Sequence, residues 1–126
     1  MRQMGAPSLA FFARLLVSDI ARSLSTWERL GFALIARDAT FLHLHWPSGG
    51  DVLLVPTPAG LTFDSRRGAG VLLSFSTAMK SVESLASRAE EAGLTVEGPT
   101  QTPWHTNEII VVDPDGYRLN FLEPAR

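Results

Sequence analysis

The chain has 126 residues, of which 45% are hydrophobic and 19% charged, and a formal net charge of −2, as expected for one globular domain with a substantial core. The small net charge gives no electrostatic reason to expect a nucleic-acid partner, and the lack of cysteine excludes disulfides, thiolate zinc sites and cysteine nucleophiles. No apolar run reaches the roughly 18 residues of a membrane span, and the N-terminus does not resemble a signal peptide, so we expect a soluble cytoplasmic protein.

The first half of the chain predicts a strand, a helix and three more strands. An apolar run over 11–18 indicates a buried strand. The helix over 19–30 starts at capping residues, carries apolar side chains at spacings of three and four, and ends before Gly31. A Pro-Ser-Gly-Gly turn separates the last two strands. The three strands after the helix cover 32–37, 40–46 and 52–55.

The second half repeats this order after a segment at 56–70 that is rich in Pro, Gly and charge. The predicted elements are a strand at 71–77, a helix at 81–92 and strands at 94–97, 107–112 and 117–122. The helix ends at Gly31 and Gly93 are 62 residues apart, and the turn glycines Gly50 and Gly116 are 66 apart. Direct repetition at such a period indicates duplicated modules.

These elements predict an α+β fold made of two tandem βαβββ modules in a single domain over 1–126. Module one covers about 8–58 and module two about 68–124. Each four-stranded sheet can cover one face with its own helix, so its other face must be buried elsewhere or enclose a ligand. We therefore expect a cupped mixed sheet with a central cleft and helices on the outer faces.

Three stretches resemble the vicinal oxygen chelate superfamily, which includes glyoxalases, extradiol dioxygenases, fosfomycin-modifying enzymes and bleomycin resistance proteins. The first is Leu-Leu-Val-Ser-Asp-Ile at 15–20 with Leu-Gly-Phe at 30–32. The second is the strand at 71–77, and the third is Pro-Trp at 103–104 leading to Val-Asp-Pro-Asp-Gly-Tyr at 112–117. In this order and at these distances they cover about 9–124, nearly the whole chain.

The resemblance implies four metal-ligand positions, one from each of four strands and usually two His and two Glu or Gln. Counted from the matching motifs, they fall on Phe12, Leu72, Asn120 and either Leu53 or Leu54. Phenylalanine and leucine have no lone pair to donate, and a lone asparagine amide is a poor ligand for Zn²⁺, Fe²⁺ or Ni²⁺. We therefore expect no metal or other cofactor. This state resembles the bleomycin resistance proteins, metal-free dimers that sequester an antibiotic without changing it.

Strand alternation predicts which side chains share a face with these positions. Arg14 shares the face of Phe12, and an arginine inside an apolar strand needs a carboxylate, a phosphate or solvent. It forms either a structural ion pair, for example with Glu108, or the anchor of a ligand. In the second module, the side chains predicted to face the ligand are Ser74, Arg118 and Asn120.

Histidines and tryptophans supply the other candidates. His43 and His45 point the same way on one strand and could hold a metal with His105, but no carboxylate or cysteine accompanies them at ligand spacing. A polar lining of the strand face is therefore the favoured interpretation. Trp46 and Trp104 lie at a turn and in a loop, where an exposed indole can hold a flat or cationic ligand. The alternative for both is packing beneath a loop or at a dimer interface.

Together these features predict metal-independent binding of a small molecule, for example antibiotic sequestration, rather than catalysis. The alternative is a lyase, isomerase or dioxygenase with an atypical site that uses His43, His45 or His105 with Glu108. The sequence contains neither a nucleophile elbow nor a phosphate-binding loop. We also expect a homodimer, because a cupped sheet exposes apolar surface that association would bury, and no nucleic-acid or membrane partner.

Overall fold

A computed structural model describes residues 10–63, 67–77 and 81–125. It divides the chain into two compact units, Met1–Thr62 and Phe63–Arg126, and the boundary falls in the segment at 56–70 that the sequence indicates as a linker. Each unit is a βαβββ module. The α+β class and the tandem repeat are therefore confirmed, while the grouping of both units into a single domain stays a prediction.

The first unit holds one helix and one four-stranded sheet, here sheet one. Its elements are β1 (Phe12–Val17), α1 (Ile20–Leu30), β2 (Ala33–Asp38), β3 (Phe41–His45) and β4 (Asp51–Pro56). The strand order is β1-β4-β3-β2. Strand β1 runs parallel to β4, and the other neighbours are antiparallel. The sheet is therefore mixed, as predicted.

Helix α1 begins and ends at the residues that the sequence indicates as caps. The Asp19 side chain accepts a hydrogen bond from the backbone N–H of Arg22 at 3.0 Å, and Gly31 takes the left-handed conformation with φ of 117°. The buried side of the helix includes Trp27 and Leu30 and covers one face of sheet one. The buried strand residues of this core are Val17, Leu42, Leu44, Val52 and Leu54.

The second unit has the same topology in its own sheet, here sheet two. Its elements are β5 (Leu73–Ser76), α2 (Val82–Glu91), β6 (Thr95–Gln101), β7 (Thr106–Val112) and β8 (Arg118–Pro124). The strand order is β5-β8-β7-β6, with β5 parallel to β8. Helix α2 packs on this sheet through Val82, Leu85 and Ala89. The buried strand residues beneath it are Phe75, Ile109, Val111, Leu119 and Phe121.

Strand β6 is longer than the sequence predicts. It continues from Glu97 through Gly98 and Pro99 to Gln101, with a register shift against β7 between Glu97 and Thr100. A Gly-Pro pair usually ends a strand, but β6 lies at the edge of its sheet, where a proline without N–H and an irregularity are tolerated. The edge position, which local sequence does not reveal, accounts for the difference.

The last turn of the chain is closed by its own aspartate. The Asp113 side chain accepts hydrogen bonds from the backbone N–H groups of Asp115 and Tyr117, both at 2.9 Å. This self-contained Asx turn fixes the register of β7 against β8. The Asp113 carboxylate is thereby used in holding the turn.

Across the described ranges, no helix has both the length and the apolar character that crossing a membrane requires.

Candidate functional site

One face of sheet one is not covered by α1 and carries the side chains of alternate residues. The register pairs Phe12 with Asp51 and Arg14 with Leu53, and paired residues project to the same side of a sheet. Leu53 and Asp51 in turn pair with His43 and His45. We call this surface the open face of sheet one, defined by Phe12, Arg14, Leu16, His43, His45, Asp51, Leu53 and Val55.

This register places the fourth metal-ligand position implied by the family resemblance. Leu54 is buried beneath helix α1, whereas Leu53 lies on the open face opposite Arg14. Of the two candidates, Leu53 is therefore the one that shares the open face with Phe12. Like Phe12 on the neighbouring strand, it is apolar and supplies no donor atom.

Three polar side chains form a hydrogen-bonded cluster on the open face of sheet one. Asp51 Oδ2 lies 2.5 Å from His43 Nε2, and Asp51 Oδ1 lies 3.2 Å from His45 Nδ1. The His43 side chain is 3% exposed, that of Asp51 15% and that of His45 37%. The sequence shows no carboxylate at ligand spacing from the two histidines, but strand register brings Asp51 into hydrogen-bond contact with both.

The hairpin between β3 and β4 brings this carboxylate to the histidines. The backbone N–H of Trp46 donates to the carbonyl of Gly50 at 2.9 Å, and that of Gly49 donates to the carbonyl of Trp46 at 2.8 Å. The turn thereby sets His45 directly opposite Asp51. The Pro-Ser-Gly-Gly turn at 47–50 was the sequence signal for this contact. A hairpin paired directly around that turn places Asp51 opposite His45.

The surroundings of Asp51 favour its ionised form. Burial alone would raise the pKa of this carboxyl, but hydrogen bonds from His43 and His45, helped by their Coulombic attraction, lower the pKa below its ordinary value. Asp51 is therefore an anion that accepts from both imidazoles at neutral pH.

Neither this cluster nor the family's ligand positions fit a transition metal. Metal–ligand bonds to His and Asp are about 2.0–2.2 Å long, and an oxygen 2.5 Å from its nitrogen partner leaves no room for an ion between them. Of the residues that the structure describes, no three or more His, Asp or Glu side chains are arranged to hold a metal ion. His105 belongs to the other unit, so a metal site that it shares with His43 and His45 stays a prediction.

The open face of sheet two is centred on Asn120. This residue pairs with Ser74 on β5 and with Ile110 on β7, and Leu122 pairs with Glu108. Leu72, the other family position in this unit, is exposed and lies just ahead of β5. We define the open face of sheet two by Ser74, Ser76, Glu97, Glu108, Ile110, Arg118, Asn120 and Leu122.

Asn120 has one satisfied and one unsatisfied polar atom. Its side chain Nδ2 donates to Ser74 Oγ at 3.0 Å. The residue is 5% exposed, and no donor among the described residues reaches its buried Oδ1. Since a buried amide oxygen usually finds a partner, the unsatisfied Oδ1 is an unusual feature of this face.

The charge of Arg118 is already paired within this unit. Its guanidinium donates to both carboxylate oxygens of Glu97, at 3.1 Å each. Sequence analysis proposed Arg118 as a ligand-binding residue and did not include Glu97. The two lie on strands that are separated by β7, so their contact depends on the sheet order.

Trp104 is held at the surface by Glu108. The Trp104 side chain is 67% exposed, and its Nε1 donates to Glu108 Oε2 at 3.3 Å, while Thr106 Oγ1 donates to the same oxygen at 2.6 Å. The next residue, His105, is exposed and has φ of 70°. The tight turn at 102–106 thus presents both side chains to solvent, and the pairing of Glu108 with Arg14 stays a prediction.

Trp46 differs from Trp104, because the structure places it in the core. It is 4% exposed, and its ring centroid lies 4.8 Å from that of Phe32. Phe32 in turn contacts Trp27 of helix α1 at 4.8 Å. The expectation that Trp46 is an exposed platform is wrong: its neighbours bury it on the covered side of the sheet, so it is not part of the site.

The chain matches one protein-family model over nearly its whole length. Residues 8–121 match the model described as the Glyoxalase/Bleomycin resistance protein/Dioxygenase superfamily. No curated protein matches the chain significantly.

Solved structures of similar fold include proteins that bind antibiotics. TnmS3, an antibiotic-binding protein from Streptomyces sp. CB03234, is 24% identical with a TM-score of 0.69, covering 94% of this chain and 98% of that one. A bleomycin-binding protein complexed with bleomycin is 18% identical with a TM-score of 0.67, covering 90% and 96%. The bleomycin resistance determinant encoded on transposon Tn5 is 19% identical with a TM-score of 0.66, covering 90% and 97%. The fold is therefore shared with these proteins, and the match over residues 8–121 shows that this chain belongs to the Glyoxalase/Bleomycin resistance protein/Dioxygenase superfamily.

Proposed function

We propose that this protein binds a small organic molecule on the open faces of its sheets without a metal ion, and that it sequesters an antibiotic. The observation that carries the proposal is the chemistry of the family's ligand positions. Phe12, Leu53 and Leu72 have no donor atoms, and the amide of Asn120 is bonded to Ser74. Such a set supports contact with an organic ligand rather than coordination of a cation.

Exposed groups on these faces, and in the 102–106 turn beside Glu108, supply what a ligand site needs. Small-molecule sites combine apolar and aromatic contact area with a few polar groups that fix orientation. Arg14 is exposed on the open face of sheet one beside the half-buried Phe12, and Trp104 presents its indole to solvent. Arg14 offers a planar guanidinium to an acidic or carbonyl group, and Trp104 offers a flat surface for stacking.

The structural relatives support the choice of ligand class. One relative of this fold is complexed with bleomycin, and another is an antibiotic-binding protein. Their identity to this chain is below 25%, so bleomycin is a first probe rather than an assigned ligand. We propose natural products that combine a flat aromatic part with polar groups.

The test combines metal analysis with a binding screen. The purified protein should contain no stoichiometric transition metal by mass spectrometry, and bleomycin-type natural products should raise its thermal midpoint. A ligand at 100 times its dissociation constant adds about 2.7 kcal/mol of stability. Stoichiometric metal that resists chelation, or the absence of any stabilising compound in a broad natural-product screen, would contradict the proposal.

Variants locate the site once a ligand is found. Arg14→Ala and Trp104→Ala should each bind it at least about tenfold more weakly, which corresponds to about 1.4 kcal/mol. Arg37→Ala is the matched control, because Arg37 is also an exposed arginine of sheet one but precedes the β2–β3 turn. If both site variants fold and bind as tightly as the parent, the ligand lies elsewhere.

We further propose that the protein is a cytoplasmic homodimer. Several large apolar side chains are exposed in the single chain, and association would remove such surface from water. Sedimentation at micromolar concentration should give the mass of a dimer, and a monomer would contradict it. Among the described residues, the large apolar side chains that are exposed are Phe11, Leu61, Phe63, Val71, Leu72 and Trp104.

A further inference from the structure

The cluster of His43, Asp51 and His45 fixes where the imidazole protons lie. An ionised carboxylate only accepts hydrogen bonds. Asp51 directs one oxygen at His43 Nε2 and the other at His45 Nδ1. Each of these nitrogens must therefore carry a proton for the contact to be attractive.

His45 is left with a free acceptor. A neutral imidazole with its proton on Nδ1 has its lone pair on Nε2. In the described part of the first unit, residues 10–62, no group bonds this nitrogen, and the His45 side chain is 37% exposed. The carboxylate is itself held by His43, whose side chain is 3% exposed. Buried His43, the Asp51 carboxylate and half-exposed His45 thus form a hydrogen-bonded chain. Its last atom, His45 Nε2, is an acceptor on the open face of sheet one.

Resting on the proposed function, we propose that His45 Nε2 is the acceptor that recognises an acidic hydroxyl group of the ligand, such as a phenol or an enol, and that Asp51 and His43 are its positioning residues. An acceptor held in one tautomer favours a ligand that donates. The same open face carries Arg14, whose charge favours the partial negative charge on such an oxygen, and Phe12 and Leu53 give the aromatic ring apolar contact.

The tautomer can be measured without any ligand. In nitrogen-15 NMR spectra of the full-length protein, the neutral form of His45 should carry its proton on Nδ1 and none on Nε2. Asp51→Asn should abolish this single tautomer, because an amide can donate to Nδ1 as well as accept from it. A His45 whose proton lies on Nε2 in the parent protein overturns the inference.

Ligand preference is tested with a pair of probes of nearly equal shape. 4-Cyanophenol carries an acidic hydroxyl that stays mostly protonated at neutral pH, and 4-cyanoanisole carries a methyl ether in its place. The parent protein should bind 4-cyanophenol up to about tenfold more tightly, since a hydrogen bond between neutral groups is worth about 0.5–1.5 kcal/mol. His45→Phe and Asp51→Asn should each lose this preference, whereas Asp38→Asn, at an exposed turn of the same unit, should keep it.

The outcomes separate this inference from the proposed function. Equal binding of the two probes, no binding of 4-cyanophenol, or a preference that survives in His45→Phe each overturns the role of His45. Stabilisation by a natural product would still support small-molecule binding in all three cases. If the parent protein binds no natural product in the screen, the proposed function is contradicted, whatever the tautomer of His45.

Discussion

Asp51 Oδ2 lies 2.5 Å from Nε2 of His43, a residue whose side chain is almost wholly buried. The two residues are joined across the β3–β4 hairpin rather than along one strand. The hairpin therefore has two effects: it pairs β3 with β4, and it holds the Asp51 carboxylate beside the His43 imidazole on the open face of sheet one. A change at Asp51 should affect both the stability and the chemistry of this face.

Asp51→Asn should destabilise the protein by about 2 kcal/mol near neutral pH, because it removes the charge from two hydrogen bonds at a largely buried position. The pKa of Asp51 is lowered in the folded protein. Its contribution is therefore complete above the ordinary aspartate pKa of about 3.9 and is lost as pH falls through the folded pKa. Urea denaturation from pH 7 to pH 3 should show the difference between variant and parent shrinking at the acid end.

Asp38→Asn is the control for this experiment. The pKa of Asp38 is also lowered, chiefly by hydrogen bonds from the Thr40 side chain and backbone. Asp38 is exposed at a turn, where solvent screens the interaction, so its replacement should change stability less than Asp51→Asn. The proposed role of Asp51 would be contradicted if both substitutions lowered the free energy of unfolding equally. It would also be contradicted if the loss caused by Asp51→Asn grew as the pH falls.

Local sequence signals account for the part of the fold that was predicted correctly. The boundaries of α1 follow from Asp19 and Gly31, whose capping roles depend on a few neighbouring residues. The repeat of the βαβββ order then gives the two modules. The predicted end of β6 was too early, because a Gly-Pro pair is tolerated in a strand only at the edge of a sheet, and the edge position is set by the strand order.

The site was predicted less completely, because its contacts join separate strands. Asp51 and Glu97 were missed, and each meets its partner only through strand register or sheet order. Trp46 was misplaced for the opposite reason. Its position next to a turn suggested exposure, but its contact with Phe32 buries the ring. Alternation along a strand predicts a face correctly, yet it does not reveal which side chains cover that face.

The two tryptophans outside the helices should respond in opposite ways to truncation. Trp46→Ala removes a buried ring that packs on Phe32 and should cost about 3–5 kcal/mol of stability. Trp104→Ala removes a mainly exposed ring and should change stability by less than about 0.5 kcal/mol. Urea denaturation followed by circular dichroism measures both. A stable Trp46→Ala variant would refute the assignment of Trp46 to the core.

Gly68 should not tolerate a side chain. A Cβ at this position would lie 2.7 Å from the Cα of Tyr117 and 2.9 Å from the carbonyl oxygen of Gly116. Both contacts are with backbone, so no rotamer change relieves them, and Gly68→Ala should cost about 3 kcal/mol. Gly70→Ala is the comparison, since Gly70 has φ of +86° but open space around it, and its left-handed strain should cost only about 1 kcal/mol. Similar thermal midpoints for the two variants would contradict the clash.

Asn120→Leu should make the second unit more stable and, under the proposed function, a poorer binder. The unsatisfied Oδ1 of Asn120 is buried, and an apolar side chain of similar size removes that penalty, a gain of about 1 kcal/mol. Ser74, which accepts from Asn120, is exposed and can bond water instead. Asn107→Leu is the matched control, because Asn107 already donates to Glu123 at 3.4 Å and its loss should bring no gain.

Thermal denaturation of both variants gives the first readout, and binding of a compound found in the natural-product screen gives the second. A destabilised Asn120→Leu variant would show that the amide is needed for folding, whereas a stabilised variant that binds as well as the parent would exclude Asn120 from the site.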